Sequence, residues 1–174
     1  MKRRSYQIAL GGISAGLALL FVWLGHVVDF LTASFLALAA LALAIPLCKN
    51  YLITSILAYI AASALAFLAV GNIFRVIPFI ILVGPLAIFS AWAQNKKLKL
   101  YFTVPIKAVY INGALAALYF GFKTVFVDLS RLGIRSIHYA LIALAGTVIL
   151  IAADFLYLYI FGIMKRSLEK IIKE

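Results

Sequence analysis

The chain has 174 residues, of which 67% are hydrophobic and only 12% charged, against roughly a quarter charged in soluble proteins. Its mean hydropathy of +1.15 excludes a soluble enzyme, a nucleic-acid module and a disordered chain. The formal net charge of +11 therefore needs an explanation other than polyanion binding.

Six apolar stretches follow one another at about 6–28, 30–47, 51–70, 77–95, 101–122 and 137–163. They are continuously apolar, whereas barrel strands alternate apolar and polar, and only helices or closed barrels satisfy every backbone group in lipid. The predicted fold is an all-α integral membrane protein, a single bundle of six transmembrane helices. In the first stretch, Lys2, Arg3 and Arg4 precede an apolar run over 8–28 that is longer than a signal-peptide core and has no small-residue cleavage site. It reads as a retained first helix. Within it, the pairs Gly11/Ala15 and Gly12/Gly16 stand four residues apart and form a flat small-residue face on which another helix can approach closely, in this bundle or in a partner.

The second stretch is the shortest: Asp29 sits at its entry and Pro46 and Lys49 close it. In the fourth, Gly84-Pro85 is expected to kink the helix, because proline lacks the amide donor and crowds the preceding turn. The connection over 123–136 mixes apolar residues with Asp128, Arg131 and Arg135 and is read as a cap on the bundle or a solvated loop. The segment 164–174 is a short basic tail, either an interfacial helix or solvated.

Lysine and arginine fix the orientation. One side collects Lys2, Arg3, Arg4, Lys49, Lys96, Lys97, Lys99, Lys165, Arg166, Lys170 and Lys173, and the other only Arg75, Lys123, Arg131 and Arg135. Both termini are expected in the cytoplasm. The high charge then reflects topology and contact with an anionic leaflet of the cell membrane.

Groups for chemistry are few. The acids are Asp29, Asp128, Asp154, Glu169 and Glu174 and the imidazoles His26 and His138, with no metalloprotease, nucleophile-elbow or phosphate-loop motif. The single Cys48 excludes an intramolecular disulfide and a four-thiolate metal site. No catalytic residue, metal site or cofactor is assigned, and the chain is read as a non-enzyme. Lys107 and Asp154 fall inside apolar spans, at similar depths in the inner half, and are read either as an intramembrane pair or with Lys107 snorkelling to the inner headgroups beside Pro105. The binding candidates lie toward the outer side: Trp23, His26 and Asp29 from the first span and its exit, Tyr59 from the third, Asn72 and Arg75 from the turn before the fourth, and Asn112, Tyr119 and Lys123 along one face of the fifth. A few directed polar groups in an apolar, partly aromatic setting are what a small-molecule site requires. Interfacial anchoring is the other reading of the same residues.

The basic start Lys2-Arg3-Arg4, the run Ile8-Ala9-Leu10-Gly11-Gly12-Ile13-Ser14-Ala15-Gly16-Leu17-Ala18 and the six-span layout over nearly the whole chain resemble the substrate-binding S components of energy-coupling-factor (ECF) transporters. The stretches 79–99 and 107–112 also resemble bacterial membrane proteins related to them. The resemblance implies a bacterial plasma-membrane subunit that takes a small solute such as a vitamin from outside. It also implies docking, through Gly11, Gly12, Ala15 and Gly16, onto a transmembrane coupling subunit driven by two ATPases. In the family the docking motif is of the A-x-x-x-A type, and here glycine stands at three of these four positions. No pocket signature for a particular vitamin or metal is present. A non-transporting scaffold or accessory subunit, and a carrier that uses Lys107 and Asp154, remain the alternatives.

Overall fold

The computed structural model describes residues 2–122 and 136–173. Side chains are described for these except at 2, 3, 29, 73, 74, 118–122, 136–143 and 169–173. Every regular element among them is helical: α1 (Lys2–Val27), a 3₁₀ turn (Asp29–Leu31), α2 (Thr32–Cys48), α3 (Leu52–Val70), α4 (Ile73–Ile77), a π-helical segment (Pro78–Val83), α5 (Gly84–Asn95), α6 (Leu100–Phe122) and α7 (Ser136–Lys173). Five helical stretches are long and apolar enough to cross a membrane: Arg4–Val27, Leu52–Val70, Arg75–Asn95, Leu100–Ala117 and Leu144–Leu168. The helix Thr32–Cys48 is apolar but shorter. The basic segment after Met164 is a continuation of α7, which runs unbroken to Lys173.

Packing divides the chain into two compact units, Met1–Leu98 with Leu156–Glu174, and Lys99–Phe155. In the first, α2 packs against α1, α3 and α5, and α1 against α3. The side chains at these contacts are small. Ala58, Ala62 and Ala66 recur every four residues along α3, Ala15 and Ala18 lie on α1, and Ala39 and Ala42 on α2, all buried, with Leu43 and Phe79 the large exceptions. The large residues point the other way, with Ile8, Ile53, Leu57, Phe67 and Leu68 exposed. Such an inside-out distribution suits helices solvated by acyl chains, where close approach of small residues and interhelical hydrogen bonds drive association. A second cluster joins Ala44, Leu47 and Cys48 of α2 to Ile88 and Ala91 of α5 and Phe161 of α7.

Three of the turns between helices have a local cause. Gly71, at φ +64°, supplies the left-handed residue that closes α3. Asn50, at φ +59°, turns the chain between α2 and α3, a conformation asparagine tolerates better than most residues. Gly25 lets α2 start hard against α1, because a Cβ there would lie 3.2 Å from Phe35 Cβ and 3.6 Å from Thr32 Cα.

The break expected at Gly84-Pro85 takes the form of a π segment upstream of it. The Gly84 N–H bonds to the Phe79 carbonyl, five residues back. In that register the next donor would be Pro85, which has no N–H, so the Ile80 carbonyl loses its partner. Tyr59 of α3 replaces it, its hydroxyl donating to Ile80 O at 2.6 Å. Pro46 of α2 creates the same vacancy at Ala42, four residues back. There the buried Ser14 hydroxyl of α1 donates to Ala42 O at 2.6 Å, and Ser55 of α3 donates to Leu43 O at 2.6 Å.

Candidate functional site

At the end of the first unit where α1 finishes, Arg75 of α4 reaches back to His26. Its Nη1 donates to the His26 carbonyl at 3.1 Å and lies 3.3 Å from His26 Nδ1. The nearby hydroxyl of Thr32 donates to Gly25 O at 2.9 Å. These contacts tie the exit of α1 to the starts of α2 and α4. The cavity they leave, lined by His26, Thr32, Arg75 and apolar neighbours, has a volume of about 10 Å³, room for about one water. Trp23 is 45% exposed on the outside of α1, and Asn72 is exposed at the turn before α4. Asp29 begins the 3₁₀ turn, beyond the end of α1, and its side chain lies outside the described set.

Tyr59, expected as part of a pocket wall, points into the helix contact instead. Its ring packs against Phe79 with centroids 6.1 Å apart, and its hydroxyl is committed to Ile80 O.

Toward the opposite end of the unit, the four small residues of α1 divide. Gly11 faces α3, where a Cβ would stand 2.9 Å from Thr54 Cγ2, and Ala15 is buried. At Gly12 and Gly16 a Cβ would meet nothing within 4 Å. Gly12 also lines a slot of about 820 Å³ between α1 and α3, with Ala15, Ala58 and Ala61 at one end and Gln7, Asn50 and Tyr51 at the other.

A polar tie that residue types alone did not reveal joins α2, α5 and α7 at this end. Asn95 Nδ2 donates to Leu47 O at 2.7 Å, and Lys165 Nζ donates to Asn95 Oδ1 at 2.7 Å. Tyr157 of α7 donates from its hydroxyl to Ala87 O of α5 at 3.1 Å.

In the second unit, Lys107 of α6 and Asp154 of α7 form a buried ion pair, with Nζ 2.5 Å from Oδ2 and the side chains 4% and 6% exposed. Burial makes the partnership obligatory, since either charge alone would be left unsolvated. Asn112 is exposed and donates to Ala108 O of its own helix at 2.8 Å, as polar side chains in apolar helices commonly do. Tyr119 is in the last turn of α6, with its side chain outside the described set, and Lys123 lies outside the described residues. Among the described residues no group of three His, Cys, Asp or Glu gathers as a metal site. No family model, curated protein or solved structure matches the chain.

Proposed function

We propose that this chain is the substrate-capturing membrane subunit of an ECF-type uptake system for a small solute such as a vitamin. The observation that carries the reading is the open face at Gly12 and Gly16, two helix positions where the backbone is bare and a Cβ meets nothing within 4 Å. In lipid, a bare small-residue helix face lets a partner helix approach to backbone contact. The partner in this reading is a transmembrane coupling subunit served by two ATPases, and the solute is passed inward when the subunits engage. In this reading the short apolar helix Thr32–Cys48 joins the five longer ones as a sixth span, and the bias of lysine and arginine, eleven of sixteen on one side, supports cytoplasmic termini in a bacterial plasma membrane.

The second reading is a non-transporting accessory subunit that uses the same face for assembly. It is favoured by the closure at His26 and Arg75, where the cavity of about 10 Å³ admits no solute.

The test is to tag the chain in its native host, purify it in mild detergent and identify co-purifying proteins and retained small molecules by mass spectrometry. A coupling subunit with paired ATPases, together with a retained metabolite, supports the transporter. A different membrane complex without a metabolite supports the accessory subunit. Substituting leucine at both Gly12 and Gly16 is expected to abolish uptake while solute binding persists; unchanged uptake in that variant overturns the docking assignment.

A further inference from the structure

We propose that the slot between the amino-terminal turns of α1 and α3 binds one anionic phospholipid of the surrounding bilayer. α1 and α3 run parallel, so their first turns lie at the same end. The slot between them encloses about 820 Å³. Its floor is closed where Gly11 meets Thr54, with a Cβ-to-Cγ2 approach of 2.9 Å. Its sides are the exposed apolar chains of Ile8, Ile53 and Leu57.

The slot changes character along its length. At the end where the two helices begin, the lining residues are Gln7, Asn50 and Tyr51. Arg4 is exposed one turn before Ile8 on the same face of α1, and Lys49 adjoins Asn50. Neither α1, α2 nor α3 contains a carboxylate, so no acid on these helices neutralises the two cations. From Gln7 to Ala15 the slot runs about 12 Å at 1.5 Å per residue and becomes apolar, with Arg4 one turn beyond its mouth. A cationic, hydrogen-bonding mouth leading into an apolar trough fits an amphiphile with an acidic head. A phospholipid carries its phosphate at headgroup depth, where Arg4 and Lys49 stand, and its acyl chain lies along Ile8, Leu57 and Ala61. A partner helix would have to bring an acid to that same level to match the charge. The lipid lies on the α3 side of α1 and borders the docking face, since Gly12 also lines the slot while Gly16 lies outside its lining, and the inference stands whether or not the protein transports.

The experiment uses the full-length protein in detergent, titrated with equal amounts of phosphatidylglycerol and phosphatidylcholine and read by native mass spectrometry. The first lipid bound is expected to be phosphatidylglycerol by at least about fivefold, since each basic residue near an anionic headgroup contributes about 1 kcal/mol. Arg4→Gln with Lys49→Gln is expected to remove that preference, and Arg4→Lys with Lys49→Arg to keep it. Ala61→Trp, at an exposed position on the slot, is expected to reduce binding of both lipids alike. Thermal melts show that each variant is folded. Equal binding of the two lipids by the native protein, or a preference that survives Arg4→Gln with Lys49→Gln, overturns the proposal. So does a photo-crosslinker at Leu57 that labels a polypeptide in the native membrane and no phospholipid.

Discussion

Tyr59 and Gly84 are fitted to each other. The hydroxyl of Tyr59 reaches Ile80 O at 2.6 Å because Gly84 has no side chain: a Cβ there would stand 2.3 Å from Tyr59 Cε2 and 2.6 Å from Cδ2. The glycine admits the ring, the ring carries the hydroxyl, and the hydroxyl occupies the carbonyl that Pro85 leaves without a donor. Gly84→Ala is expected to displace the ring and break the bond, at a cost of about 2 to 4 kcal/mol from overpacking and the lost hydrogen bond together. Tyr59→Phe, which keeps the ring, is expected to cost about 1 to 2 kcal/mol. Because Gly84→Ala already breaks the bond, adding Tyr59→Phe should cost little more. Reversible unfolding of the four proteins in mixed micelles gives the cycle; strict additivity would show that the two residues act separately.

Pro46 and Ser14 make a second such cycle, with the donor restored by the mutation. Ser14→Ala orphans the buried Ala42 carbonyl and is expected to cost about 1 to 3 kcal/mol. Pro46→Ala returns a backbone N–H to that carbonyl, so in this background Ser14→Ala should be nearly silent. A full penalty in both backgrounds would mean that the serine acts through packing and not through the bond, which is 2.6 Å long.

These two arrangements mark where the sequence stops being legible. The helices themselves could be placed because long apolar runs admit no other solution in lipid, and the helix break at Gly84-Pro85 follows from the chemistry of proline. What could not be read was which neighbour would supply the missing donor, since Ser14 and Tyr59 belong to helices brought close only by packing. Tyr59 resembled an aromatic pocket residue because its partner is a backbone carbonyl, and every residue has one. His26 and Arg75 were expected at one depth, but their contact depends on where α1 stops and α4 starts. Lys107 and Asp154 were legible as a pair because a charge in an apolar span has few possible partners. Asn95, the last residue of α5, and Lys165, in the basic stretch that continues α7, gave no such signal.

The Lys107 and Asp154 pair leads to a prediction about stability and transport together. Removing one partner strands the other in an apolar setting, and Asp154→Asn or Lys107→Met is expected to cost about 3 to 5 kcal/mol. Replacing both at once, Lys107→Met with Asp154→Leu, should recover most of that loss, because two desolvated charges are removed with their attraction. Thermal unfolding in detergent checks the stabilities, and uptake in cells checks the role. Under the proposed uptake function, the expected pattern is a double variant that is stable and still takes up solute. Normal stability with uptake abolished in Asp154→Asn would instead make the pair part of a charge-coupled carrier.

The division within the small-residue face of α1 gives the last prediction. Gly11 and Gly16 lie on the same helix and are the same residue, yet their surroundings differ: a Cβ at Gly11 meets Thr54 Cγ2 at 2.9 Å, and one at Gly16 meets nothing within 4 Å. Gly11→Leu should therefore force α1 from α3 and destabilise the isolated protein by about 1 to 3 kcal/mol, the usual cost of overpacking. Gly16→Leu should leave the isolated protein as stable as the native one or slightly more so, since leucine is the better helix former. If Gly16 is kept bare for a partner, its leucine variant must lose that partner on purification from the native membrane while remaining folded. Measuring melting temperature and co-purification on the same samples separates the two outcomes, and a Gly16→Leu protein that melts normally and retains every native partner would leave the open glycines without a docking role.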